Sequence, residues 1–256
     1  MQSGKRVLIT AGAGGIGLAI ARAFVAEGAK VHICDIDEEA LRAVTAAEPS
    51  ITGTLCDVAD RSAVERLIAD AATALGGLDV LVNNAGISGP TAPVEAMDPE
   101  DWDAVLAVNL TGTFNVTRLS IPHLKQSGTG VIIIMSSLAG RLGYPNRSPY
   151  ATSKWGLIGL TKTLSIELGA AGIRVNAILP GAVEGARGQR VLEGRARAKG
   201  KSMEEVTREA LANQSIKRFV DPNDIAALAV FLASDSARSI SGQMIPLDGD
   251  SQTAGG

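Results

Sequence analysis

The chain has 256 residues, 46 % apolar and 20 % charged, with a formal net charge of -3 and 3 % aromatic side chains. That is enough apolar chain for one compact core, while the negative charge and scarce aromatics exclude nucleic acid as the expected partner. Its apolar runs, such as VIIIM from Val131, fall far short of the roughly 20 residues that cross a bilayer, so no membrane partner is expected either.

In chain order, RVLIT, KVHICD, ITGTLCD, LDVLVNN, GVIIIMSS, GIRVNAILP and GQMIPLDG alternate with stretches of helical periodicity. Such alternation predicts βαβ units. Near-continuous Val, Ile and Leu are what a parallel strand carries when helices cover both its faces. The expected fold is therefore α/β, a doubly wound, Rossmann-type parallel sheet of seven strands with helices on both faces. No Pro- or Ser-rich linker or internal repeat divides the sequence, so residues 1–256 are expected to form a single domain. The opening MQSGKRVLIT enters a strand at once, with no charged leader and apolar stretch before it, which predicts a cytoplasmic protein.

The first strand runs into TAGAGGIG, Thr10 to Gly17, and then into the amphipathic LAIARAFVAEGA. Glycines at such a junction let the backbone turn tightly and approach a pyrophosphate, whose charge the amino end of the helix attracts. Gly12, Gly14, Gly15, Ile16 and Gly17 are the candidate contacts. The second strand ends VHICD, which puts Asp35 near the position from which a carboxylate accepts hydrogen bonds from the adenosine ribose. The same charge repels a 2′-phosphate, and no Arg or Lys stands at Gly14 or Ile36 to offset it; the expected cofactor is NAD (NADH) rather than NADP. Cys34 and Cys56 lie in strand-like runs without CxxC spacing and read as buried, reduced thiols. The only histidines, His32 and His123, read as structural.

Further along, SSLAGRLGYPNRSPYATSK places Tyr150 four residues before Lys154, one helical turn apart on one face. Oxidising an alcohol by hydride transfer needs a group that takes the proton from oxygen. An unperturbed phenol, with a pKa of about 10, is only about 0.1 % ionised at pH 7, and an ammonium one turn away favours the charged form. Tyr144 has no such partner, because Ser148 stands four residues after it. Ser137, at the end of GVIIIMSS, can meet the start of the next helix at the sheet's carboxyl edge and hold a substrate oxygen; Ser136 is the less favoured alternative. Arg141 and Tyr144, with Ser88, Thr91 and Val94, are candidate pocket walls.

Glu184 to Ala210 is polar, charged and poor in strand formers. It predicts a helical insertion, a candidate substrate lid over about residues 184–215, leaving the carboxyl edge where α/β sheets bind ligands. Arg187, Arg190, Arg195, Arg197, Lys199, Lys201 and Arg208 outnumber Glu184, Glu193, Glu204, Glu205 and Glu209 by seven to five, a local excess of +2. That excess suits either a solvated helix surface or the steering of an anionic substrate.

Taken together, TAGAGGIG, NNAG at Asn83 to Gly86, Asn109 in AVNLTGTF, Ser137, YATSK at Tyr150 to Lys154, and PG at Pro180 and Gly181 resemble the short-chain dehydrogenase/reductase family over nearly the whole chain. The resemblance implies that Tyr150 is the acid/base and that Lys154 supports it and binds the nicotinamide ribose. It implies further that Ser137 positions the substrate oxygen and that Asn109 holds a water in a proton relay. Asp57 and Val58 would touch adenine, Asn84, Ala85 and Gly86 would line the cofactor cleft, and Val183 would meet the carboxamide through its backbone. A homotetramer and a small alcohol or ketone substrate are likewise implied. A 3-oxoacyl thioester reductase, which also resembles this family, is the rival among enzymes; a non-catalytic NAD-binding regulator is the rival from a different class. The chain departs from the family pattern at Ala11, where a first glycine is usual, and at Gly185, where a threonine often stands.

Overall fold

A computed structural model describes residues 4–254, with Arg187 described through its backbone alone. Residues 1–3 and 255–256 of the expected domain, and the side-chain charge of Arg187, lie outside the described residues. Seven strands form one sheet: β1 (Arg6–Thr10), β2 (Lys30–Asp35), β3 (Ile51–Leu55), β4 (Val80–Asn83), β5 (Val131–Met135), β6 (Arg174–Pro180) and β7 (Met244–Leu247). Their order is β3-β2-β1-β4-β5-β6-β7 and every pairing is parallel. The chain moves outward from β1 in one direction, then restarts at β4 in the other. Loops leaving β1 and β4 therefore part at the carboxyl edge and open a crevice there.

The helices are α1 (Gly15–Ala26), α2 (Glu38–Ala47), α3 (Arg61–Leu75), α4 (Pro99–Leu106), α5 (Thr113–Ser127), α6 (Ser148–Gly169), α7 (Ala186–Lys199), α8 (Met203–Ala212) and α9 (Pro222–Ala233). Successive residues of a strand point to opposite faces, and the core divides accordingly. Val7 and Ile9 of β1 pack with Ile20 and Phe24 of α1, Leu41 of α2 and Ile225 of α9. Leu8 between them joins Leu67 of α3, Leu124 of α5 and Leu164 of α6 on the other face. Helices thus cover both faces, as the Val- and Ile-rich strands require. Among the described residues, no helix is long and apolar enough to cross a membrane.

Aspartates set where several helices begin. Asp37, Asp60, Asp98 and Asp221 each accept a backbone N–H from the first turn of α2, α3, α4 and α9. Cys34 and Cys56 are buried free thiols. His32 is buried between the hydroxyls of Thr52 and Thr54, at 2.8 and 3.1 Å, and burial pushes its pKa down to about 4.

At the opposite end of the sheet, Arg6 closes a fork on Asp79: Nε to Oδ2 at 2.9 Å and Nη2 to Oδ1 at 2.8 Å, with the Arg6 amide and Ser127 Oγ also donating to the carboxylate. Burial alone would raise the Asp79 pKa; these four hydrogen bonds outweigh it and hold the group at about 2. Its folded pKa thus lies below its unfolded value of about 4, so the pair stabilises the protein above that value and the gain fades as pH falls toward 2. Asp79→Asn is expected to cost about 2 kcal/mol at pH 7. The gap from wild type should shrink between pH 4 and pH 2, read from denaturant melts across that range; a gap independent of pH would refute the assignment.

Candidate active site

The crevice beyond the ends of β1 and β4 is a cleft of about 510 Å³. The loops after β1, β4, β5 and β6, the helix α7 and the chain's carboxyl-terminal tail supply its walls. At one end the glycine loop passes from β1 into α1. Gly14, Gly15 and Ile16 line the cleft, and the space above the Cα atoms of Gly14 and Gly15 is open. Gly12 and Gly17 do different work. Gly12 packs on the Ile33 side chain and donates its N–H to the Cys34 carbonyl at 2.9 Å. A Cβ on Gly17 would collide with the Ala11 carbonyl, so this glycine lets α1 close against β1.

Ala11 itself adopts φ 51, a left-handed conformation that costs an L-residue about 1 kcal/mol or more. Three sets of hydrogen bonds hold it there. Asp35 Oδ2 accepts from the Ala13 N–H at 3.0 Å, while Oδ1 accepts from Ile36 and Asp37 at 2.8 and 3.2 Å. The Asn84 side-chain amide donates to the carbonyls of Thr10 and Ala11 at 3.1 and 3.0 Å. The buried Thr10 hydroxyl accepts the amides of both Asn84 and Ala85 at 2.9 Å. Asp35 and Asn84 also line the cleft, so each staples the loop and faces its ligand space. Thr10 was not among the sequence candidates, since a threonine ending a strand carries no signal of its own. Ala85, Asp57 and Val58 do not reach the cleft wall: Asp57 accepts from the Ala59 N–H at 2.9 Å, and Val58 is buried against Gly112.

The middle of the cleft is organised by Lys154, which α6 carries inward and which is 3 % exposed. Its Nζ donates to the carbonyl of Met135, the last residue of β5, at 2.8 Å. Its own carbonyl accepts the Ser136 hydroxyl at 2.9 Å. Ser136 is thereby committed to the scaffold. Ser137 Oγ instead accepts from the Ala139 N–H at 3.1 Å and keeps its proton to donate. Ser137, Tyr150 and Lys154 share the cleft wall, with Lys154 Nζ 5.7 Å from the centre of the Tyr150 ring. Asn109 is fully buried in a π-helical turn, Ala107–Gly112, and does not line the cleft. Its Oδ1 accepts from the Ile87 N–H at 2.7 Å, and its Nδ2 donates to the Ile87 carbonyl and to Ser153 Oγ, both at 3.0 Å. Ser153 in turn donates to the Tyr150 carbonyl at 2.7 Å. Gly86, beside Asn109 Oδ1 and Lys154 Nζ, lines the cleft over this chain of bonds.

At the far end stand Tyr144, Arg147 and Arg195. The two tyrosine rings meet edge to face with centres 6.3 Å apart. Arg147 is 3 % exposed and its guanidinium lies 5.5 Å from the Tyr144 ring centre and 5.6 Å from that of Tyr150. Arg147 escaped the sequence reading, although it lies only three residues before Tyr150. Arg141, the expected pocket wall, turns away to pair with Asp248 at 3.1 Å and does not line the cleft. Ser88 does line it; Val94 is exposed.

The expected insertion comprises α7 and α8. Val183, just before it, lines the cleft and bridges to Val220. Gly185 adopts φ 119, open only to glycine in practice, so a threonine would be strained at this position. The charge of this insertion is unevenly distributed. Lys199 and Lys201 pair with Glu209, and Arg208 pairs with Glu204 on solvent-facing surface, whereas Arg190 and Arg195 line the cleft.

Comparison with known proteins bears on the whole chain. The family model described as Enoyl-(Acyl carrier protein) reductase matches residues 11–249. A D-beta-hydroxybutyrate dehydrogenase of Cupriavidus necator is 37 % identical over 254 residues, covering 97 % of this chain and 98 % of the relative. Among solved structures, NAD+-bound xylitol dehydrogenase superposes with a TM-score of 0.93 at 31 % identity, covering 96 % of this chain and 98 % of that one. A variant of actinorhodin polyketide ketoreductase with NADPH gives a TM-score of 0.92 at 34 % identity, covering 97 % of each. With this sheet order, this glycine loop and these full-length likenesses, the chain belongs to the short-chain dehydrogenase/reductase family, oxidoreductases of the alcohol and ketone pair.

Proposed function

We propose that the chain is an NAD-dependent oxidoreductase that interconverts a small secondary alcohol, such as a polyol or hydroxy acid, and its ketone, with Tyr150 as general acid/base. The observation that carries this reading is the shared wall of Ser137, Tyr150 and Lys154, with the ammonium one turn from the phenol and 5.7 Å from its ring. The residues fit a dinucleotide: Gly14 and Gly15 leave backbone open to a pyrophosphate at the start of α1, and Asp35 faces the ribose end. A bound nicotinamide would supply the hydride chemistry. Ser137 donates its free hydroxyl proton to the substrate oxygen and fixes that oxygen beside Tyr150. Tyr150 takes the alcohol proton in oxidation and returns it in reduction. As the family resemblance implies, Lys154 supports Tyr150 in this role, its buried ammonium 5.7 Å from the ring centre, and would bind the nicotinamide ribose. Asn109, through Ser153, holds the Tyr150 backbone in place; as the family resemblance implies, it also supports the route by which the proton leaves.

Asp35 supports NAD over NADP, since a 2′-phosphate would meet a carboxylate already fixed by three backbone N–H groups. The likeness to a polyketide ketoreductase favours a second reading, reduction of a 3-oxoacyl thioester; NADPH dependence and a preference for acyl thioesters would select it. A purely regulatory nucleotide binder has no use for the serine, tyrosine and lysine wall. The cytoplasm and a homotetramer are what the family resemblance implies; exposed Phe114 on α5 and Trp155 and Ile166 on α6 offer apolar surface for a subunit contact, and light scattering should return four chains.

Tyr150→Phe is expected to lower kcat by on the order of 10²- to 10⁴-fold while NADH binding survives. Turnover equal to wild type in that variant would reject the proton role. With wild type, kcat/KM for NAD should exceed that for NADP, and Asp35→Ala should narrow the ratio at least about tenfold, the worth of roughly 1.4 kcal/mol. A wild-type preference for NADP would reject the cofactor assignment.

A further inference from the structure

We infer that the substrate carries an oxyanion and that Arg147 and Arg195 hold it beside Tyr144. The inference rests on the oxidoreductase reading and names the class of alcohol: a hydroxy acid, paired with the corresponding keto acid. The two guanidinium groups come from different elements, Arg147 from the turn before α6 and Arg195 from α7, and they converge on one ring. Their Cζ atoms lie 5.5 and 5.3 Å from the Tyr144 ring centre. Each is oriented in advance. Arg147 donates to Ser88 O at 2.8 Å and to Thr91 Oγ1 at 3.2 Å. Arg195 Nη2 donates to Tyr144 OH at 2.6 Å and to the Ala254 carbonyl at 3.1 Å. A planar fork fixed in this way meets a carboxylate with little further loss of freedom.

Charge in the cleft points the same way. Arg147, Lys154, Arg190 and Arg195 line it, against Asp35 and Glu184. Asp35 stands at the glycine-loop end with both oxygens accepting backbone N–H groups, and Glu184 is exposed. Behind Tyr144 a second recess of about 230 Å³ shares Arg147 and Arg195 as walls and has no carboxylate among its lining residues. The lid cations Lys199, Lys201 and Arg208 are matched to glutamates of α8. Arg190 and Arg195 are the described lid cations that face the cleft. Low-dielectric walls strengthen their field at the substrate's end.

The spacing suits a small acid. The Tyr144 and Tyr150 ring centres are 6.3 Å apart and the Arg147 guanidinium lies 5.6 Å from the Tyr150 ring centre, a separation that a short carbon chain spans between an oxygen at Tyr150 and an oxyanion at Arg147. The reaction balances without involving the anion. A bound nicotinamide would accept the electron pair of the carbinol C–H bond as hydride while Tyr150 takes the O–H proton, leaving a carbonyl at that carbon. The oxyanion fixes which carbon faces the cofactor.

The test pairs 2- and 3-hydroxybutanoate with butane-1,2-diol and butane-1,3-diol, each acid matched to the diol that replaces carboxylate by CH2OH, with NADH formation as the readout. Wild type should favour an acid over its matched diol by at least tenfold in kcat/KM, and added salt should raise KM for the acid more than for the diol. Arg195→Gln should collapse the acid-to-diol ratio by at least tenfold, with Arg195→Lys restoring part of it; a merely structural role would lower both members together and leave the ratio unmoved. Arg147→Lys, chosen because Arg147 is buried and its loss threatens folding, should shift the same ratio. Diols turned over as well as acids, or a ratio unchanged in both variants, overturn the oxyanion site and leave the oxidoreductase reading standing. Wild type inert toward every acid, diol and matching ketone with both NAD and NADP overturns both.

Discussion

The site depends on one buried ammonium tied at both ends to one strand terminus. Lys154 Nζ donates to Met135 O, and the Lys154 carbonyl accepts from Ser136 Oγ, so α6 is bolted to the last residues of β5 through the same side chain and backbone. Burying a charge of this kind costs several kcal/mol unless polar groups receive it. The end of a parallel strand, where carbonyls run out of neighbours, provides such a receiver. The geometry of the proposed reacting groups follows. Ser137 is the next residue after Ser136, Tyr150 is one turn before Lys154, and both must face the same space. A lysine elsewhere on α6 would leave serine and tyrosine without a common register.

The same economy appears at the glycine loop. Ala11 takes the left-handed conformation usually given to glycine, and the strain is contained by groups that belong to neighbouring strands: Asp35 from β2, Asn84 after β4 and Thr10 at the end of β1. Two of these three also face the cleft. A residue that holds the loop and borders the ligand space cannot be altered for one purpose without disturbing the other. Changes at Asp35 therefore act on loop geometry as well as on charge, and under the proposed preference for NAD the two effects would be read together.

The fold was legible because apolar strand runs alternate with helices along the chain up to β7, a pattern that local periodicity reports even though β3, ITGTL, is half polar. Tyr150 and Lys154 were legible because helical spacing places them in contact without any tertiary knowledge. Other residues had no such signature. Arg147 and Arg141 look alike in sequence, two arginines in one glycine- and proline-bearing loop. Only the path of that loop sends Arg147 under two aromatic rings and Arg141 out to Asp248. Gly12 and Gly17 carry the look of phosphate contacts yet answer to Ile33 and the Ala11 carbonyl, because close packing and close ligand approach demand the same residue. Asn109 was visible only through the family motif AVNLTGTF, and the π turn that aims it at Ile87 and Ser153 depends on packing across three elements.

The two ends of the cleft are held by unlike means. The cofactor end is made of strand termini and backbone hydrogen bonds backed by fully buried side chains, so its geometry is set once the sheet has formed. The lid end is different. Helix α7 follows Gly185 without a side-chain cap and, among its described residues, none is fully buried, whereas α8 begins with a reciprocal Ser202 and Glu205 cap and buries Val206. With few apolar contacts of its own, α7 takes its position from polar ties such as Arg195 to Tyr144 and to the Ala254 carbonyl. Those ties lie at the substrate's end of the cleft. At the proposed oxyanion site, a ligand engaging the same guanidinium would compete with or reinforce the bonds that seat the helix, so substrate recognition and the placement of α7 would be one equilibrium rather than two.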